Sequence, residues 1–503
     1  MVRFGVGLIS IIFIFMAFER QVLSEATFKQ EETWIKTGLK SQDIANLFQN
    51  FSCKNSQKTF LACVNSLNAM ANYIGQKVTW LEGKGLRLEP GKNSLSTEKE
   101  RLEVWVNYYK SNKHIGMNFD TVWTELDRQI SSHRFVSYIV GQGINAYLSI
   151  HRDPHSYIVP KEYYEKVVAN SRPRINSYGF NLGKVGVEVV FARIYPGSLF
   201  EGLGVSKGDV ILELDGKKLA GMDLESVSEL LKKKDKHLFK VKMPGKTQSW
   251  LLDKKNQILP AMALKRLPRE NNKTLHLISI YKISDGICRS VEKGIQAALN
   301  QKTSGVILDL RDNSGGSMDE VLCLSGLFVG NKKIYDLVYF DRRYRKETFY
   351  SDRDAKYFGP LVVLVNRATA SSAEILAGVV QHYERGLVVG ERTFGKGSFQ
   401  EGEDWAKNKQ LLYFQTKGTF HLPSGRSPQL LGIVPDLEVS ETIASNSQRE
   451  EELYLYPIGN REPREKVSKR LASVNECPSL KKEALTGDRL LGKALGHIDC
   501  IQF

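Results

Sequence analysis

Across 503 residues the chain has only six cysteines and nine histidines, and neither type is grouped at the spacing a zinc site needs. No RNA-binding signature is present. That absence matters because 71 basic against 56 acidic residues leave a net charge of +15, a balance that can mark nucleic-acid binders. The lysines are spread along the chain, so the expectation is a solvated basic surface near anionic lipid, with no nucleic acid. The apolar run Phe4–Phe18 is short for a membrane span but right for the core of a secretory signal. Arg3 precedes it, Glu19-Arg20-Gln21 follows, and Val22-x-Ser24 offers a cleavage site, giving a signal over 1–24. An uncleaved anchor is the alternative, and the lack of a cysteine at the run's end argues against a lipoprotein.

The cysteines are Cys53, Cys63, Cys288, Cys323, Cys477 and Cys500, an even number in a chain read as exported. Cys53–Cys63 and Cys477–Cys500 would each close a local loop. Cys288 and Cys323 fall in helical, core-like contexts and read as buried thiols. None has a histidine or glycine-rich setting, which argues against a catalytic cysteine. A hydrophobic share of 42% with 25% charged residues is ordinary for soluble globular protein, and the length calls for several domains.

What the chain does have is concentrated between Leu361 and Gln400. Leu361–Val365 is a continuous apolar run, the pattern of a strand buried on both faces. A helix is expected next, opened by the box Ser371-x-x-Glu374, carried by Ile375, Leu376, Val379, Val380 and Tyr383, and ended near Gly386. A second buried strand, Leu387–Gly390, leads to Thr393-Phe394-Gly395-Lys396-Gly397. A serine at such a corner lies beside helix N–H groups that can stabilise an oxyanion. It needs a base. His382 is eleven residues on, about 16 Å along the helix axis, and cannot reach. Lys396 can, if the two strands run parallel. It must then be neutral, which costs roughly 4 kcal/mol against an ordinary lysine and is within the reach of desolvation beside Phe394 and Phe399. The plainer reading is a capping box followed by a surface Gly-Lys-Gly loop.

The TASSAEI corner and the TFGKG turn resemble the active-site region of the C-terminal processing peptidases, also called tail-specific proteases. The resemblance implies a nucleophile at Ser371, a general base at Lys396 and a lysine-orienting glutamine at Gln400, with Ser372 the rival nucleophile one register away. Gly305 to Gly316, containing Leu310-Arg311-Asp312-Asn313-Ser314-Gly315-Gly316, is similar to the family's LRxNPGG strand end. By that match the Gly315 and Ser372 N–H groups form the oxyanion hole, and Ser314 stands where the family has proline. Asp309, Arg311 and Asp312 read as a structural ion-pair cluster, His382 stands where some relatives carry an aspartate near the lysine, and His421 reads as structural. His421 to Asp436 resembles the family's PSGRS…GIVPD ending. Asp153-Pro154-His155-Ser156-x resembles the DPHS signature that precedes the binding module, and His155 reads as a structural turn residue.

Arg172 to Lys255 resembles a PDZ domain, most specifically in Pro196-Gly197-Ser198 and Gly202 to Gly216. The resemblance implies that Tyr178, Gly179, Phe180, Asn181 and Leu182 receive the carboxylate of a peptide C-terminus. Helical patterns at Asp43–Phe51, Leu61–Ile74, Glu103–Tyr109 and Asp120–Leu148 precede it, with Trp105, Trp123, Phe135 and Tyr138 as core aromatics. The expected organisation is an α/β multidomain chain: a helical N-terminal region over 25–170, an inserted PDZ domain over 171–258, and a crotonase/ClpP-like protease core over 259–441. A polar, basic C-terminal extension over 442–503 carries no readable role.

The resemblance further implies an exported serine endopeptidase, in the periplasm or on the outer face of the cytoplasmic membrane. It would act on protein C-terminal tails without metal or cofactor, with an adaptor protein and a homo-oligomeric assembly as partners. A catalytically silent PDZ-containing scaffold of the same fold is the competing expectation.

Overall fold

The computed structural model describes residues 25–498 apart from 52, 54–55, 82–84, 92–97, 112–118, 166–173, 177, 254–255, 259, 270–273, 342–344, 442, 444–446 and 460–487. The expected secretory signal and the Cys477–Cys500 pair lie outside the described residues. Among the described residues no helix is long and apolar enough to cross a membrane.

From residue 262 onward the elements are β1 (Met262–Pro268), β2 (Thr274–Ile280), α1 (Ile287–Asn300), β3 (Gly305–Asp309), α2 (Met318–Val329), β4 (Lys333–Tyr339), β5 (Lys346–Tyr350), β6 (Leu361–Val365), α3 (Ser372–His382), β7 (Leu387–Gly390), β8 (Ser398–Trp405), β9 (Asn408–His421), β10 (Leu437–Glu438), α4 (Glu450–Leu453) and α5 (Arg489–His497). The continuous apolar runs become the middle of one sheet, ordered β1-β2-β3-β6-β7-β10, in which β3 and β6 are buried along their whole length. β1 is antiparallel to β2, and the other pairings are parallel. Parallel strands need crossovers, and the intervening helices supply them. Ile287, Val291, Val321, Leu324, Ile375 and Val379 from α1, α2 and α3 pack with Ile278, Leu308 and Val363 of the sheet. The opposite side is covered from the far end of the chain: Leu490, Leu491, Ala494 and Ile498 pack on Leu275, Ile307, Val362, Leu364 and Val389. The segment after residue 442 thus carries part of the core, which its overall polarity concealed.

A second sheet, β5-β4-β9-β8, continues from the first through the Lys396 loop, and Tyr157–Pro160 pairs with β9. Leu411 of β9 is buried in the core of the N-terminal helices. Those helices follow the expected pattern except at Asp120–Leu148, which is two helices, Phe119–Ile130 and Val136–His151. The break has a local cause: Ser131 Oγ donates to Asp127 O at 2.6 Å, and the Phe135 N–H donates to His133 Nδ1 at 3.1 Å. Side chains that bond the nearby backbone compete with helix continuation.

Residues 178–253 form an antiparallel sheet with Phe180–Val185 at one edge, the helix Leu224–Lys232, and a core that includes Tyr178, Phe191, Phe200 and Phe239. Arg174–Asn176 and Asn256–Ile258, which lead into and out of it, pair with each other. Cys53 and Cys63 are disulfide-bonded as expected. Cys288 and Cys323 are also a disulfide and not buried thiols. Neighbouring helices α1 and α2 bring their Cα atoms within 5.9 Å across 35 residues of sequence.

Candidate active site

β6 and β7 are parallel neighbours, so the corners that follow them open at the same rim of the sheet. At the first corner Ser371 has φ 58° and ψ −125°, a conformation that costs a non-glycine residue about 1–3 kcal/mol and persists only where its surroundings over-determine it. The surroundings are visible. The Ala370 N–H donates to Asn313 O at 2.9 Å, and the Ser371 N–H donates to Glu374 Oε2 at 2.8 Å. Only this half of the expected capping box is closed, because the Glu374 N–H donates to Ser371 O at 2.7 Å. The Ser371 hydroxyl is fully buried and has no hydrogen-bond partner among the described residues, and the same holds for Ser372 Oγ.

Glu374 does more than cap. Its Oε2 also accepts from the Lys396 N–H at 2.9 Å, while Oε1 accepts from Thr393 Oγ1 at 2.5 Å and the Gly395 N–H at 2.8 Å. One buried carboxylate therefore clamps the serine corner to the lysine loop. Burial pushes this carboxyl up to about 7, against the hydrogen bonds it accepts. The sequence signalled Glu374 only through its spacing to Ser371, because the donors at 393–396 are joined to it by the parallel pairing.

Lys396 is fully buried. Desolvation draws its amine down from 10.5 to about 7, opposed by the charges of Glu450, Asp153 and Glu374, in that order. Its Nζ donates to Ser398 Oγ at 2.9 Å, Ser398 O at 3.1 Å and Gln400 Oε1 at 3.4 Å. The Gln400 amide donates to Ser398 Oγ at 3.3 Å and Thr416 Oγ1 at 3.0 Å, which turns its carbonyl oxygen toward the lysine. Thr416 Oγ1 in turn donates to Asp153 Oδ1 at 2.7 Å. Ser398 and Thr416 carry no signal in the sequence, and Asp153 stands out only as the first residue of the DPHS-like signature. Ser398 is two residues from Lys396, but nothing in its spacing distinguishes it from other strand serines.

Gly315 has φ +90°, and a Cβ there would fall 2.7 Å from Ala370 O and 2.9 Å from Ser371 Cβ, so only glycine lets this loop meet the serine. Its N–H, expected as an oxyanion donor, donates to Asn313 Oδ1 at 2.8 Å. Asp309 and Arg311 pair at 2.9 Å, and Arg311 also reaches Asp488 at 2.8 Å, a structural cluster. His382 stands at the far end of α3 against Tyr383, lowered by burial and by Lys333 and Lys332. His421 Nδ1 lies 2.8 Å from Gly425 O and closes a turn. His155, expected as a turn residue only, has Nε2 3.0 Å from Glu450 Oε1. Among the described residues no three His, Cys, Asp or Glu side chains are grouped to hold a metal ion.

In the sheet of residues 178–253, Phe180 and Leu182 lie on the edge strand, partly buried against that unit's core. Tyr178 is itself core, its hydroxyl donating to Asp235 O at 3.1 Å and its ring 4.8 Å from Phe239. The Asn181 Oδ1 accepts from Tyr195 Oη at 3.2 Å, and the Gly179 carbonyl accepts from the Tyr195 N–H at 2.9 Å.

Residues 275–439 match the family model described as Peptidase family S41. The chain is 29% identical over 272 residues to the tail-specific protease of Haemophilus influenzae, a match covering 52% of this chain and 38% of that protein. It is 26% identical over 291 residues to the carboxy-terminal processing protease CtpA of Bacillus subtilis, covering 56% of this chain and 62% of the relative. The match thus spans less than two thirds of either relative's length. A solved photosystem II D1 C-terminal processing protease aligns at 23% identity with a TM-score of 0.41, covering 68% of this chain and 94% of that one. The strand, corner and loop that bring Gly315, Ser371 and Lys396 to one rim all fall inside residues 275–439, the segment that matches the peptidase family S41 model.

Proposed function

We propose that this protein is an exported serine endopeptidase in which Ser371 attacks a peptide carbonyl and Lys396 takes its proton. The observation that carries this reading is a fully buried lysine whose amine is drawn down to about 7 and whose loop is tied to a strained serine corner by one carboxylate. Such an amine is neutral for a large part of the time at neutral pH, as a general base must be. Gln400 holds it by its carbonyl oxygen. Attack forms the Oγ–C bond and sends the hydroxyl proton to Nζ; collapse passes that proton to the leaving amine, and water then releases the acyl-enzyme. In the described geometry Nζ is engaged by Ser398 and Gln400, and the Gly315 N–H by Asn313. Substrate binding must therefore turn the amine toward Ser371 and free the Gly315 N–H to join that of Ser372 at the oxyanion.

Residues 178–253 serve in this reading as a PDZ domain of a crotonase/ClpP-like peptidase. Among the described residues Phe180–Val185 pairs on one side only, with Glu188–Ile194, which leaves an edge for a peptide's C-terminal segment to extend. The names of the relatives support substrates recognised by their tails. Two disulfides support export to an oxidising compartment. Wild type should degrade an unfolded test protein and Lys396→Ala should not. Equal activity in both would refute the dyad, and a serine-directed probe mapped to Ser372 in place of Ser371 would refute the register.

A further inference from the structure

Glu450 opens the short helix α4, downstream of the residues that match the peptidase family. Its side chain is fully buried. Oε1 accepts from Gln429 Nε2 at 2.8 Å and lies 3.0 Å from His155 Nε2, while Oε2 has no hydrogen-bond partner among the described residues. The Gln429 Oε1 accepts from the Gly397 N–H at 2.8 Å, and the Glu450 N–H donates to Phe394 O at 3.1 Å. Both connections end within two residues of Lys396. His155 arrives from the opposite end of the chain, through the turn Asp153–Ser156, with its ring against Tyr454 at 5.6 Å. Three segments distant in sequence thus enclose the lysine loop and leave one anionic oxygen buried without a donor. Isolated anions are costly to bury and are retained where a charge nearby answers them.

We propose that His155 and Glu450 form a positioning pair for the base: the Glu450 carboxylate stabilises the ammonium that Lys396 becomes as it takes the serine proton, and His155 keeps that carboxylate ionised. The inference rests on the Ser371–Lys396 reading. Glu450 acts toward the lysine as the carboxylate of a Ser–His–Asp arrangement acts toward its imidazole, without touching substrate. The charged groups bearing on the amine are Glu450 on α4, Asp153 in the N-terminal turn and Glu374 on α3, and Glu450 has the strongest influence of the three. The Glu450 carboxyl is pushed up by burial, but His155, then Lys396 and Gln429, more than reverse this and hold it below its ordinary value.

The test is the pH profile of kcat/KM for full-length protein on a fluorogenic peptide. Glu450→Gln keeps the acceptor for Gln429 and removes the charge. The acidic limb, where the ammonium loses its proton, should move down by about one pH unit, with kcat reduced about tenfold or more. His155→Phe fills the same space and should move the limb in the same direction by less. In the Glu450→Gln background it should add nothing, and Glu450→Asp should restore most of the wild-type profile. A limb unmoved in folded Glu450→Gln, or additive effects in the double variant, overturns the pair while Lys396→Ala remains inactive and the dyad stands. Activity retained in Lys396→Ala removes the dyad and the pair with it. If Glu450→Gln does not fold, an unmoved limb in His155→Phe is itself the overturning result.

Discussion

Lys396 is a residue the fold accommodates against its own stability. An amine drawn from 10.5 to about 7 reflects roughly 5 kcal/mol of penalty on its charged form. The folded value lies below the unfolded one, so between these values the unfolded chain binds more protons and stability rises with pH. Below about pH 7 both states are charged and the penalty is felt in full. Lys396→Met should therefore be inactive yet melt a few degrees higher at pH 6, with the difference shrinking toward pH 10, as calorimetry across that range would measure. A variant equally stable or less stable at pH 6 would mean that the hydrogen bonds to Ser398 and Gln400 outweigh desolvation. In the proposed mechanism the same neutral amine sets the activity: wild-type kcat/KM should climb as pH passes through about 7, and a rate already at its plateau at pH 5.5 would contradict a lysine base. Of the residues in the proposed mechanism, Ser371 and Lys396 could be picked out because each sits in a short motif, and Gln400 through the resemblance alone. Glu374 was half legible, as a cap, and Ser398 and Glu450 not at all, since their relation to the lysine arises only when two sheets and three segments meet.

At the scale of elements, β3, β6 and β7 could be read directly, since an apolar run ending in glycine or a polar turn has few other fates. The α1–α2 pairing was not readable. Helical periodicity says which face of each helix is buried, but not that Cys288 and Cys323 lie opposite one another on adjacent helices. Closing a 35-residue loop should stabilise the folded chain by about 4 kcal/mol in the chain-entropy description. The Cys288→Ala/Cys323→Ala variant should unfold at lower denaturant concentration by that order, and wild type in reductant should approach it; coincident curves with and without reductant would show that the link carries no stability. Helix α5 escaped for a different reason. Its apolar residues Leu490, Leu491, Ala494 and Ile498 are embedded in a basic, polar stretch, and only the uncovered side of the main sheet explains them. At about 1.5–3 kcal/mol for each large side chain buried, removing residues 488–503 should yield protein that binds an apolar dye and aggregates. A monomeric truncated form with native melting behaviour would be the contrary result.

For the whole molecule, the 178–253 unit is joined to the sheet rim through Lys207, whose Nζ pairs with Glu441 at 2.8 Å, and through Arg193. Its guanidinium is partly buried, donates to Arg311 O at 2.5 Å and pairs with Asp312 at 3.0 Å, with the Tyr281 ring centre 5.0 Å from the cation. Desolvation would lower it, but Asp309 and then Asp312 more than compensate and hold it charged. Arg193 lies on the strand Glu188–Ile194, which pairs directly with the free-edged strand Phe180–Val185. Asp312 lies three residues before Gly315, with φ 60°, and its N–H donates to Asn366 Oδ1 at 2.9 Å. In the proposed mechanism, a displacement of the edge strand by a bound peptide would thus be one side chain away from the loop whose N–H is to be freed for an oxyanion. Removing one partner of a fully buried pair costs about 3–5 kcal/mol; this pair is partly exposed, so the cost is smaller, and it falls on this junction and not on the edge strand proposed to take the peptide. Arg193→Ala should therefore keep wild-type affinity for a peptide with a free apolar C-terminus, measured by calorimetry, while kcat for an unfolded protein falls by an order of magnitude. If affinity falls and kcat survives, the arginine belongs to the groove, and the two units work as independent bodies.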